Sequence, residues 1–292
     1  MCAVAIRRFT QNPIITPPLS ATLGTNINGP SLIRVPNWLQ GALGRYYLYF
    51  AHHQGKHIRL AHADRLEGPW TVHEPGVLSL EESLFVGHVA SPDVHIDLFN
   101  EGKHEIRMYF HGPIGKGQGQ WTRVGVSTDG LHFSVLPELH GTSYFRCFHW
   151  GEYVYAVATG GIFYRSRDGL TAFEPGSTMF DERFRHAATA VDGDTLTVYY
   201  SLKGDCPERI VCSTILLTPD WRTWRASPPE VVLEPEEAYE GVDLPLVPSI
   251  GGWAPNPVRE LRDPGIYREG GHTYLLYSVA GEQGIAVAEL GV

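Results

Sequence analysis

Residues 153–169 read YVYAVATGGIFYRSRDG, from Tyr153 to Gly169. An aromatic-rich alternation is followed by a Gly-Gly turn, a second alternation and a Ser-x-Asp-Gly turn, the pattern of two short antiparallel strands with opposite faces in different surroundings. The same order recurs in four other places: YYLYFAHHQGKHIRLAHAD from Tyr46, IRMYFHGP with TRVGVSTDG from Ile106, LTVYYSLKG with RIVCSTIL from Leu196, and TYLLYSVAGEQGIAVAEL from Thr273. Four copies then reach an aromatic residue after a Gly or Asp turn, at Trp70, Phe133, Phe173 and Trp224, positions suited to an outer strand. Each copy is preceded by a further short strand that starts with polar residues: GPSLIRV from Gly29, SPDVHID from Ser91, SYFRCFHW from Ser143, RHAATAV from Arg185 and RDPGIY from Arg262.

A supersecondary unit repeated at this period signals an array whose members bury their faces on one another. The expectation is an all-β chain forming one five-bladed β-propeller of four-stranded antiparallel blades, at about 26–80, 86–140, 141–180, 185–235 and 256–292. The fifth copy lacks a fourth strand, so the N-terminal stretch 13–16 is expected to close it. In a propeller the first strand of every blade lines the axis, so the five polar-headed segments should converge on one cavity.

Composition fits a folded domain. Of 292 residues 43% are hydrophobic and 19% charged, while 32 Gly and 21 Pro are scattered as many turns require. The net charge of −9 removes the attraction that drives nucleic-acid binding. No apolar run suits a signal peptide or a membrane helix, so a cytoplasmic protein with no membrane partner is expected. Cys2, Cys147, Cys206 and Cys212 form no CxxC pair and are expected to be free thiols, mostly buried.

The Asp of each Ser-x-Asp-Gly turn, Asp129 and Asp168, is best explained as holding nearby backbone amides. Asp93 and Asp263 differ. Each lies next to Pro at the head of an inner strand, where the ring restricts the backbone and removes a ladder donor. Either one is a candidate to face the axis, or to cap a turn. A second carboxyl group is needed if the site hydrolyses a glycosidic bond; Glu240, in AYEGVDLP, is the first candidate, with Glu82 and Glu182 as rivals. Tyr144, His88, His95, His149, His186, Asn28, Arg146, Arg185 and Arg262 lie on or beside inner strands. They are candidates for binding hydroxyl or carboxyl groups, or for packing. No HxH, HExxH or EF-hand spacing occurs, so neither a metal site nor a cofactor is expected, and a central structural ion stays open.

The segments NPIITP, GPSLI with GRYYLYFA, LEGPWTV, SPDVHID and RDPGIYREGGHTYLLYS resemble the five-bladed arabinanase, levansucrase and invertase superfamily, in particular the family 43 glycoside hydrolases. The resemblance spans nearly the whole chain but with shifted phase: the C-terminal RDPGIY corresponds to that family's first blade. It implies that Asp263 matches the family's base and Asp93 the carboxylate that tunes acidity. The segment that should carry the acid, Thr142 to Arg146, contains no glutamate. Three readings stay open: Glu240 or another loop carboxylate is the acid, Tyr144 or a histidine protonates the leaving group, or the chain binds sugar without cleaving it. The expectation is a glycosidase acting on a short or terminal linkage, with Asp263, Asp93 and Glu240 catalytic and Arg262, His88, His186, Arg146, Tyr144 and Asn28 binding the carbohydrate. The alternative is a non-catalytic carbohydrate-binding propeller. Oligomeric state is not legible.

Overall fold

A computed structural model describes residues 5–96 and 102–291; Cys2 and Asp97 lie outside them. After an N-terminal strand β1 (Ile6–Arg8), the first blade is β2 (Asn28–Arg34), β3 (Tyr46–Ala51), β4 (His57–Ala63) and β5 (Thr71–Ser79). The second is β6 (Ala90–Ile96), β7 (Ile106–Pro113) and β8 (Gln120–Ser127), whose outer edge pairs with two short strands, β9 (Ser134–Val135) and β10 (Gly141–Thr142). The third comprises β11 (Arg146–Trp150), β12 (Tyr153–Ala158), β13 (Ile162–Ser166) and β14 (Glu174–Thr178), and the fourth β15 (Phe184–Asp192), β16 (Thr195–Leu202), β17 (Ile210–Leu216) and β18 (Glu230–Leu233). The fifth runs β19 (Arg262–Glu269), β20 (His272–Ser278) and β21 (Ile285–Leu290), completed by β1.

Every blade is an antiparallel sheet, the first four continuous in sequence and the fifth completed by the N-terminal strand, so the expected all-β five-bladed propeller is the observed fold. The closing strand lies earlier than 13–16: Ile6, Arg7 and Arg8 pair with Leu290, Glu289 and Ala288. Ile14 and Ile15 instead bond the start of β21, both donating to the Ile285 carbonyl. Both stretches thus seal the fifth blade.

The repeated aromatics hold blade to blade. Phe133 of blade two meets Tyr49 of blade one with ring centroids 6.1 Å apart, Phe173 of blade three meets Tyr109 of blade two at 6.3 Å, and Trp224 of blade four meets Tyr155 of blade three at 4.9 Å. Burial of such rings dominates the core energy and fixes their mutual angle. The tyrosine hydroxyls also reach the Asp-Gly turns of the next blade, Tyr49 donating to the Gly130 carbonyl at 2.9 Å and Tyr109 to Gly169 at 2.7 Å. Both glycines are left-handed, and a Cβ there would lie 2.7 and 2.9 Å from those hydroxyls. Asp129 and Asp168 do what the turn reading expects: their Oδ1 atoms accept the amides of Leu131 and His132, and of Leu170 and Thr171, at 2.8–2.9 Å.

Around the axis, the C-terminal halves of the inner strands are tied into a closed circuit. Ser31 of β2 accepts the Val94 amide of β6 at 2.9 Å, and Asp93 of β6 accepts the Cys147 amide of β11 at 2.7 Å. Thr189 of β15 donates to the Cys147 carbonyl at 3.2 Å, and Arg268 of β19 to the Val191 carbonyl at 2.8 Å. Glu269 returns the circuit to the first blade by accepting from Arg34 at 2.7 Å and Tyr46 at 2.6 Å.

Candidate functional site

The N-terminal ends of the inner strands have a different backbone. One left-handed residue stands at the head of each: Gly29, Ser91, Tyr144, His186 and Asp263, with φ of 63°, 48°, 67°, 43° and 47°. In four blades a register shift accompanies it, between Asn28 and Ser31, Ala90 and Asp93, Arg185 and Ala187, and Arg262 and Gly265. Such bulges re-aim a side chain that the strand's alternation would otherwise point elsewhere. A non-glycine residue in this region costs on the order of 1–3 kcal/mol, and such strain collects at functional sites. At Gly29 even a Cβ would lie 3.0 Å from the Ser91 Cα, so the first blade contributes no side chain to the ring.

Asp263 is 1% exposed. Three donors surround it and all stand off: Tyr144 Oη lies 3.3 Å and His186 Nδ1 3.4 Å from its Oδ1, and Ser278 Oγ 3.4 Å from its Oδ2. Burial, and then the negative charge of Glu282, push its carboxyl up to about 6. Glu282, in the turn between β20 and β21, is itself fully buried. Burial would raise it, yet His53, Asn26 and Arg262 together hold it low; His53 Nδ1 lies 3.5 Å and Arg262 Nη1 3.2 Å from its Oε1. Two neighbouring carboxylates are thus driven apart in acidity, as happens where acid–base roles are divided.

Tyr144 is sandwiched between His111 and His186, with centroid separations of 4.5 and 4.9 Å. Burial and the Asp263 charge push its hydroxyl well up, so it is a donor at neutral pH. Burial keeps both flanking histidines well below their usual range, helped by other cations nearby. Asn28 Oδ1, His111 Nδ1 and His186 Nδ1 are buried and complete no hydrogen bond. Unfilled polar atoms of this kind mark where water or a ligand belongs.

Of the arginines expected to clamp a ligand, Arg262 and Arg185 are engaged by the protein and Arg146 in part. Arg262 binds Glu260 through Nε at 2.7 Å and also pairs with Glu208 at 3.3 Å. Arg185 pairs with Glu208 at 3.4 Å and donates to the Ile250 and Gly252 carbonyls at 3.0 and 2.9 Å. Arg146 links the two blades that flank its own, donating to the Ala187 carbonyl of blade four at 2.8 Å and to Ser91 and Pro92 of blade two at 3.2 Å, while its Nη2 is buried and completes no hydrogen bond. His88 lies half-buried on the approach to β6, with Nε2 3.3 Å from Gln120 Oε1, and Asn28 donates to Asn26 Oδ1 at 3.0 Å.

The three carboxylates named from sequence are not brought together. Glu240 faces Arg8 of the closing strand, whose Nε lies 2.8 Å away, and accepts from Tyr277 Oη at 2.8 Å and the amides of Glu236 and Glu237 at 2.8 and 3.1 Å. With both oxygens occupied outside the axis, it fastens β1 to the fifth blade and is withdrawn as the acid. Glu82 and Glu182 are exposed, Glu82 folding back onto Ser79 at 2.7 Å.

Asp93 belongs to the tied circuit and also accepts from His95 Nε2 at 2.8 Å. Although buried, it is held low by His95 and Arg146. It lines a cavity of about 460 Å³ along the C-terminal half of the strands, with Ser31, His95, Arg146 and Thr189. By backbone equivalence the partner of Asp263 on this blade is Ser91, left-handed and before a proline like Asp263 itself. His149 is exposed at the far end of β11. Among the described residues no group of three or more His, Cys, Asp or Glu side chains is arranged to hold a metal ion. Cys147 and Cys212 are buried, whereas Cys206 is exposed.

Glu282, His53, Asn26, Ser278 and His111 were missed from sequence. All sit on second or third strands or on connecting loops, where no inner-strand signal marks them.

No protein-family model matches the chain. Solved structures that share its fold include a GH43 β-xylosidase/α-arabinofuranosidase from a compost microbial metagenome, in complex with xylotriose (TM-score 0.63, 15% identity, 98% of this chain and 95% of that one). Another comes from the GH130 family of mannoside phosphorylases, which contains glycoside hydrolases that target β-1,2 mannosidic linkages (TM-score 0.68, 11% identity, 98% and 93% covered). An exo-1,5-α-L-arabinanase from a bovine ruminal metagenomic library follows at TM-score 0.59 and 11% identity, with 91% and 92% covered. These neighbours are five-bladed propeller glycosidases, and at such identities the likeness is one of fold. In sequence the chain is 36% identical over 321 aligned positions to the uncharacterized protein R118 of Acanthamoeba polyphaga mimivirus, covering 97% of this chain and 89% of that protein. The chain therefore belongs to the same family as that viral protein.

Proposed function

We propose that the chain is a glycoside hydrolase acting on a short or terminal glycosidic linkage, with Asp263 as its general base at the N-terminal end of the axial channel. The observation that carries this reading is the state of Asp263: left-handed, buried, ringed by donors at 3.3–3.4 Å and titrating near 6. At neutral pH such a carboxylate is ionised yet basic enough to accept a proton, the balance that general-base catalysis rewards. It removes a proton from water, the water oxygen bonds to the anomeric carbon, and the bond to the leaving oxygen breaks.

Four ionisable side chains near Asp263 are not suited to protonate that leaving oxygen. Glu282 is ionised and engaged, Tyr144 holds its proton tightly, and His186 and His111 are neutral at working pH. Substrates whose leaving group departs as a stable anion are therefore favoured. The test is a panel of nitrophenyl glycosides and oligosaccharides with wild type and Asp263→Asn. Turnover on an activated glycoside, rising with pH through about 6 and lost in the variant, supports the reading; turnover undiminished in the variant overturns it.

A second reading, a propeller that binds carbohydrate without cleaving it, is favoured by that same lack of an acid. It calls for sugar affinity by calorimetry with no turnover over days.

A further inference from the structure

Arg185 and His186 are adjacent in sequence, and the guanidinium folds back on the neighbouring ring. Arg185 Nε lies 3.3 Å and Nη2 3.1 Å from His186 Nε2. A guanidinium only donates. His186 Nε2 is therefore the accepting, unprotonated nitrogen, and the single proton of the neutral ring sits on Nδ1. That nitrogen faces Asp263 Oδ1 at 3.4 Å. The ring cannot turn freely: it is packed on Tyr144, its backbone is left-handed with φ 43°, and it is 5% exposed. Arg185 is fixed in turn by Ile250, Gly252 and Glu208.

We infer that Arg185 is a positioning residue that locks His186 in its Nδ1–H tautomer, so that the imidazole presents a permanent donor beside Asp263. The 3.4 Å gap holds no atom between them, so the group served by both sits to one side; it is a hydroxyl or water oxygen, because it must accept from Nδ1–H while giving its own proton to the carboxylate. This catalytic half rests on the proposed hydrolase; the tautomer does not. Protonating Nε2 would break both contacts with Arg185 and set a second cation against it, with Arg262, Arg146 and His53 also near the ring and Asp263 as its facing anion. His186 is thereby excluded as the acid for the leaving group.

Long-range ¹H–¹⁵N correlation spectra of the ¹⁵N-histidine-labelled chain test this directly, with His186 assigned by its absence in His186→Gln. The expected wild-type pattern has a protonated Nδ1 and a bare Nε2, unchanged between pH 8 and 5.5. An Nε2–H pattern, or an imidazolium in that range, overturns the inference whatever the activity. In Arg185→Gln the pattern shifts toward Nε2–H or averages, while Arg185→Lys, also a pure donor, retains more of it; an unchanged pattern in Arg185→Gln overturns the role of Arg185. If that variant fails to fold, the wild-type spectrum still decides the tautomer and the Lys variant the role of Arg185. On an activated glycoside, Arg185→Gln should lower kcat about 100-fold with little change in KM, the scale of loss for a misaligned reacting group. A wild type with the Nδ1–H pattern but no turnover would support the tautomer and count against the hydrolase.

Discussion

The two ends of the axial channel are built from the same five strands and behave as opposites. Toward their C-terminal ends the strands are tied blade to blade by contacts of 2.6–3.2 Å, in which Asp93 takes an amide at 2.7 Å and a histidine at 2.8 Å. At their N-terminal ends five left-handed residues face one another, and the donors around Asp263 stop at 3.3–3.4 Å. One carboxylate is satisfied and held low; the other is poorly satisfied and pushed up. Satisfied polar groups stabilise a closed ring, whereas strained and unfilled ones leave a ligand something to complete.

The largest test of this contrast is activity. Asp263→Asn should lose about 10³-fold or more in kcat on an activated glycoside, while Asp93→Asn keeps activity within about threefold once differences in folded fraction are corrected; comparable losses in both would erase the distinction. Next comes the buried lattice beneath the site. Arg262→Met strands Glu208, Glu260 and Glu282 without their shared cation and should cost about 3–5 kcal/mol by denaturant titration.

Asp93→Asn should cost about 1–3 kcal/mol at pH 7, as one partner of charge-assisted bonds is weakened. Because the folded-state carboxyl is held low, its contribution is present above the unfolded value near 3.9 and disappears as pH falls through the folded one. The gap between variant and wild type should therefore close below about pH 4. The smallest expected effect has the opposite sign. Asp263 titrates near 6 when folded, so ionising it opposes folding, and wild-type stability declines between about pH 4 and 6. Asp263→Asn should then be more stable than wild type at pH 8 by on the order of 1 kcal/mol, with the advantage vanishing below pH 4. A variant that is both less active and less stable would mean that Asp263 holds the fold instead.

Much of the architecture was legible along the chain. Alternating aromatics and Asp-Gly turns recur because each blade must bury the same face on its neighbour, and Tyr49, Tyr109 and Tyr155 do this with Phe133, Phe173 and Trp224. Asp263 was legible too, since an aspartate before a proline at an inner-strand head is a local signal. Asp93 looked equivalent and was not: it follows its proline, two residues beyond left-handed Ser91. That offset moves its side chain from the open end of the channel into the tied ring. Glu240 misled for another reason. Its loop precedes an inner strand, yet Arg8 and Tyr277 draw it away from the axis.

What the sequence by itself determined was the fivefold period, the polar heads of the inner strands and the absence of a glutamate between Thr142 and Arg146, all carried by residues close together in the chain. Only the tertiary structure decided which charges meet. Asp263 is met by Tyr144 from 119 positions away, Glu282 is held by Asn26 and Arg262 from opposite ends of the chain, and closure of the ring brings them together. Acidity depends on burial and on neighbouring charge, and both are properties of that closed ring.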